Sequence, residues 1–186
     1  MRNFLQISKA WDYIIHRRMI AFWTVMVVML PLPWMVPACT TAPKSQAHHD
    51  NCKVLSVYDG DTMTVNCQGE KIKVRLYCID APEMGQEPWG REVRDYLRSI
   101  TGPSVQLEVK DKDRYGRMVG EVFTDDEDRE NLNLTMVWSS NAVVYPKYCN
   151  DRQYYQSEEE AKKLHSGIWE KPGLHQKPWE WRSSRH

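Results

Sequence analysis

The chain has 186 residues, enough for one domain of ordinary size and a terminal extension. Its 25 basic and 25 acidic residues balance, which excludes a general polyanion-coating protein, so attraction for phosphate has to be local. Segment 1–39 holds Arg2, Lys9, Arg17 and Arg18 against Asp12 alone, and the remainder is therefore slightly acidic.

The N-terminus reads as an export signal over residues 1–39. A basic stretch ending in His16-Arg17-Arg18 precedes an apolar run from Met19 to Leu30, followed by Pro31, Pro33 and Pro37. An uncleaved anchor fits on length, while the prolines and the small residues near Ala38 suit cleavage. Val36-Pro37-Ala38-Cys39 resembles a lipoprotein box with Cys39 as the lipid-bearing residue. The expected location is exported: periplasmic, outer-membrane lipoprotein or secreted. Membrane attachment would run through a Cys39 lipid or the apolar segment, and no obligate protein partner follows. Residues 40–51 are small, polar and unpatterned, which predicts a flexible tether with His48-His49 solvated.

Cys52, Cys67, Cys78 and Cys149 remain, an even set that suggests two disulfides in an exported domain. Four cysteines allow three connectivities. Cys52 and Cys67 bracket a predicted hairpin, so the pairing expected is 52–67 and 78–149. Zinc is the competing use. No C-x-x-C pair occurs, and His165 and His175 lack ligand spacing.

Period-two patterns dominate 52–123. Val54 to Tyr58 and Met63 to Cys67 flank Asp59-Gly60, a hairpin signal. In Lys71 to Leu76, Ile72, Val74 and Leu76 face inward, while Lys71, Lys73 and Arg75 face solvent. Val105, Leu107 and Val109 repeat the pattern, and Met118 to Phe123 gives a fifth strand. Helices are predicted over 88–100, closed by Thr101-Gly102-Pro103, and over 131–140, with Leu132, Leu134, Met136, Val137 and Trp138 largely buried. A third covers 152–166 with Tyr154, Ala161 and Leu164 inward. Asp125 to Glu130 reads as a solvated turn, and the tail from Lys171 as a surface wrap. The expected class is α+β, mainly β: a five-stranded barrel of the oligonucleotide-binding type with about three helices.

Three segments carry chemistry: Asp59-Gly60-Asp61-Thr62, Arg75 through Asp80-Ala81-Pro82-Glu83, and Asp113-Arg114-Tyr115-Gly116-Arg117. Singly, each acid is an ordinary turn or cap residue. Together, three carboxylates and two arginines at adjacent strand ends supply what metal-assisted phosphodiester cleavage needs. A hard cation takes oxygen ligands, a water must be oriented, and charge growing on phosphorus must be neutralised. Asp111 to Gly116 also suggests a calcium loop, but the acid required at its twelfth position falls on Val122.

With Gly167-Ile168-Trp169 and Pro178-Trp179-Glu180-Trp181-Arg182, these motifs make residues 52–182 resemble the staphylococcal nuclease (thermonuclease) family in its exported Gram-negative branch, leaving 183–186 as a tail. The resemblance implies a calcium-dependent endonuclease acting on DNA and RNA, cutting the bond from phosphorus to the 5′ oxygen. It implies that Asp61, Asp80 and the Ala81 backbone carbonyl hold Ca2+, and that Glu83 orients or deprotonates water. Arg75 and Arg117 would grip the phosphate, with Tyr115 beside the nucleotide and Tyr145 or Tyr148 over the base. The alternatives are a catalytically silent nucleic-acid-binding barrel and an envelope lipoprotein.

Overall fold

Alternation of buried and exposed residues builds the sheet, as period-two burial requires. The computed structural model describes residues 47–185. The strands are β1 (His48–Val57), β2 (Thr62–Cys67), β3 (Glu70–Leu76), β4 (Ile79–Asp80), β5 (Ser104–Lys112), β6 (Met118–Thr124) and β7 (Val143–Val144). Met63 and Val65 of β2, Ile72, Val74 and Leu76 of β3, Val105 and Leu107 of β5, and Val122 of β6 turn inward to the core. Five strands close a barrel in the order β1-β2-β3-β6-β5, while β4 and β7 pair separately. Every neighbouring pair in the barrel is antiparallel except β3 with β6, which run parallel at Val74↔Met118 and Arg75↔Val119.

The helices are α1 (Trp89–Ile100), α2 (Leu132–Trp138), α3 (Arg152–Lys163) and α4 (Pro178–Ser183). In α1, Gly90, Val93 and Leu97 form one buried stripe. Asn131 caps α2 by accepting from the Leu134 N–H, and Asp151 caps α3 by accepting from the Gln153 N–H. Buried Asn133 joins α2 to the barrel. Its amide donates to the carbonyls of Tyr77 and Gly120 and accepts from the Val122 N–H, each at 3.0 Å. No buried polar end of it is left unmatched.

Disulfides join Cys52 to Cys67 and Cys78 to Cys149. The first ties β1 to β2. The second ties the β3–β4 turn to the segment after β7.

Several expectations need correction. β1 begins at His48, inside the segment read as a tether, because His48 and His49 pair with Glu108 and Leu107 of β5. A polar sequence without alternation concealed a strand whose partner lies far along the chain. Leu164 and Trp138 are each 60% exposed rather than inward, lying at the C-terminal ends of their helices. The tail is not a featureless wrap: it forms short 3-10 turns at Gly167–Trp169 and Leu174–Gln176, then α4. The expected signal over 1–39, Cys39 and the start of the tether lie outside the described residues. Among the described residues no helix is long and apolar enough to cross a membrane.

Candidate active site

β3 alternation sends Arg75 away from the core, as expected, but not into solvent. Its side chain is only 13% exposed. Thr62 pairs with Arg75 in the β2–β3 ladder, and the Leu76 N–H donates to the Asp61 carbonyl at 2.8 Å, so the start of β2 lies over the arginine. From the other side, β4 brings Asp80, which is fully buried. Gly60 permits this approach: a Cβ there would meet the Ala81 Cβ at 2.6 Å.

The two carboxylates meet at one nitrogen. Arg75 Nη2 lies 3.0 Å from Asp61 Oδ2 and 2.9 Å from Asp80 Oδ1. Arg75 Nη1 donates to the carbonyls of Leu76 and Ile79. Arg75 is thus held by three hydrogen bonds and an ion pair within the protein. Asp61 Oδ2 also accepts from the Ala81 N–H at 2.9 Å, and Asp61 Oδ1 from Thr62 Oγ1 at 3.0 Å.

A second guanidinium completes the cluster. Arg182 of α4 donates from Nη2 to Asp80 Oδ2 at 2.9 Å. From Nη1 it donates to Asp80 Oδ1 at 3.1 Å and to Glu83 Oε1 at 2.6 Å. Asp61, Asp80 and Glu83 therefore form a chain of acids joined by shared arginine nitrogens. Glu83 is also fixed at its backbone, where its N–H donates to the side chain of buried Gln86 at 2.8 Å.

Burial, reinforced by the Asp61 charge, pushes the Asp80 carboxyl up to about 6 despite Arg182 and Arg75. Burial and the Asp61 charge likewise push Asp59 up to about 7, with Arg75 opposing. Burial works against the Arg182 charge, but hydrogen bonds and charges from Asp80 and Glu83 outweigh it and hold its pKa above the ordinary value. Even with Asp59 protonated, Asp61, Asp80 and Glu83 outnumber Arg75 and Arg182. The uncompensated negative charge is what a divalent cation would offset. Among the described residues no three His, Cys, Asp or Glu side chains form a ready metal cluster. Asp61 and Asp80 offer carboxylate oxygens, hard donors of the kind suited to a cation that keeps several waters.

Asp59, Asp61, Arg75, Glu83 and Arg182 line an open cavity of about 580 Å³, whose wall also includes Arg117, Tyr115, Tyr145 and Tyr148, while Asp80 lies buried behind it. Arg117 does not join the acid cluster. Its Nε donates to Asp113 Oδ2 at 2.7 Å, and its N–H and that of Tyr115 donate to Asp113 Oδ1 at 2.9 Å. The β5–β6 turn is thereby locked with a guanidinium at the rim. Tyr115 is 70% exposed there, and Tyr145 stacks on Trp179 with ring centroids 5.5 Å apart.

Residues 73–171 match the family described as Staphylococcal nuclease homologue. A micrococcal nuclease from Shigella flexneri is 37% identical over 139 residues, covering 70% of this chain and 79% of that protein. A thermonuclease from Staphylococcus hyicus is 30% identical over 154 residues, covering 77% and 90%. An uncharacterized endonuclease from Escherichia coli O157:H7 is 36% identical over 131 residues, covering 70% and 83%.

The chain belongs to the staphylococcal nuclease family.

In this staphylococcal nuclease homologue, the fold brings Asp61, Arg75 and Asp80 into direct contact, links Glu83 to Asp80 through Arg182, and leaves Arg117 outside that cluster on the cavity wall. Sequence reasoning missed two participants. Asp59 was read only as a turn residue, although its Oδ1 accepts from the Asp61 N–H at 3.0 Å. Arg182 stood in a quoted motif without a role, since nothing local to Trp181-Arg182 says that it meets residues a hundred positions earlier.

Proposed function

We propose that this endonuclease cleaves DNA and RNA with calcium, breaking the bond from phosphorus to the 5′ oxygen by attack of water. The observation that carries the reading is the meeting of Asp61 and Asp80 on one arginine nitrogen, with Glu83 linked to Asp80 through another. Asp61, Asp80 and the Ala81 carbonyl would hold calcium, whose charge would polarise the phosphate and orient water. Two firm carboxylates predict weak affinity, ~10⁻⁴–10⁻³ M.

Glu83 lies at the open edge of the cluster and accepts the proton of the attacking water. Arg117 meets the phosphate from the rim, where its planar fork matches two oxygens. Arg75 ties Asp61 to Asp80 and, lining the same cavity as Arg117, grips the phosphate beside it. Tyr115, Tyr145 and Tyr148 offer ring faces to the adjoining nucleotide, a sequence-tolerant contact. Two disulfides support an oxidising, exported setting, periplasmic or secreted, with or without a lipid on Cys39.

Incubating the purified chain with plasmid DNA in calcium or in chelator tests this directly. Digestion should depend on calcium, and Glu83→Gln should lower the rate by ~10²–10⁴-fold, the range for a positioned general base, with the fold retained. Cleavage that persists under chelation refutes the calcium reading.

A further inference from the structure

We infer that Arg182 is an exchangeable counter-ion: its guanidinium holds Asp80 and Glu83 in the ion-free protein and gives way when a divalent cation binds. The inference rests on the calcium reading above and concerns a residue outside the expected ligand and catalytic set.

Three observations carry it. First, Arg182 occupies the acids themselves. Its fork takes both oxygens of Asp80, and one nitrogen is shared between Asp80 Oδ1 and Glu83 Oε1. Asp80 Oδ1 accepts from Arg75 as well, so little lone-pair capacity remains on a carboxylate that has no exposure to water. A cation ligated by Asp80 would lie beside a guanidinium of the same sign, so one must yield.

Second, the side chain can leave while its helix stays. α4 has six residues, too few to be stable alone. It is seated by aromatic contacts: Trp179 stacks on Tyr145, and the Trp181 ring lies against Gly85, 3.0 Å from where a Cβ would stand. Both anchors precede the arginine on the helix and do not depend on its ion pairs. Third, the Arg182 side chain is 35% exposed, whereas that of Arg75 is 13% exposed and bonded besides to the carbonyls of Leu76 and Ile79. Of the two guanidinium groups, Arg182 is the one with a route out. It keeps buried like charges from repelling before the ion arrives, and competes with the ion once it does.

Calorimetric titration of calcium chloride into the full-length chain tests this. Arg182→Gln should bind calcium about tenfold more tightly than the parent, the size of change expected from about 1.4 kcal/mol of lost competition. Arg182→Lys, which keeps the charge but loses the fork, should fall between them and carries the test if the glutamine variant does not fold. Arg185→Gln, just beyond the end of the same helix with its guanidinium over the Trp181 ring, removes equal charge and should leave affinity unchanged. A merely structural role predicts weaker binding on substitution, never tighter. Equal or weaker binding by both Arg182 variants, or the same gain in Arg185→Gln, overturns the inference while calcium binding by the parent stands. Absence of calcium binding in parent and variants alike overturns the calcium reading and the exchange together.

Discussion

Asp59 and Asp80 carry the largest cost among the acids of the cluster, and the sign of that cost can be measured. Both carboxyls ionise near 3.8 when exposed, but in the folded chain burial and the Asp61 charge move them to about 7 and about 6. The folded state therefore binds more protons than the unfolded one across that interval. Their contribution to stability is fully present below about pH 4 and is lost as pH rises through about 6 and then about 7. Asp59→Asn removes one of the two groups. Chemical unfolding in chelator at pH 5 and pH 8 should show a smaller fall in stability for this variant than for the parent. An identical fall would mean that Asp59 ionises no differently in the folded chain. Arg75 and Arg117 look alike in the sequence, yet one sits under the acids and the other is held by Asp113. Side-chain environment, not residue type, separates their roles.

Among the elements, β3 was the most legible, because strict alternation of Ile72, Val74 and Leu76 with charged residues specifies a half-buried strand and its register. The α1 boundaries were also readable, from the Thr101-Gly102-Pro103 stop. What α1 does for the site was not. Gly90, in its first turn, packs so closely on the preceding loop that a Cβ would lie 2.0 Å from the Glu83 carbonyl oxygen. The helix start thus holds the backbone of the proposed base in place. Gly90→Ala should destabilise the fold by about 1–3 kcal/mol through overpacking and should also slow cleavage. Thermal unfolding and a plasmid assay on the same preparation check both, and unaltered cleavage would show that Glu83 does not depend on this contact. α4 escaped the sequence reading because a proline- and tryptophan-rich stretch lacks a helical stripe. Its helix exists through aromatic contacts with distant residues.

For the whole molecule, the two disulfides differ in consequence. Cys78–Cys149 closes a sequence separation of 71 residues and Cys52–Cys67 one of 15. Opening the longer loop releases more unfolded-state entropy. The Cys78→Ala/Cys149→Ala pair should cost about 2–5 kcal/mol and more than the Cys52→Ala/Cys67→Ala pair. It should also reduce activity, since Cys78 lies two residues before Asp80 in the turn leading to β4. Denaturant unfolding of both double variants decides the order, and the reverse order would show that strain or residual structure dominates. The sequence by itself determined the five barrel strands, the family, and the acids and arginines to examine. Those signals are local, written in alternation, turn residues and contiguous motifs. Only the tertiary structure decided that Arg75 is enclosed, that β1 starts at His48, and that Arg182 joins the acids. Each depends on a partner far away in the chain, and the contact energy that selects such a partner has no periodic trace in the residues around it.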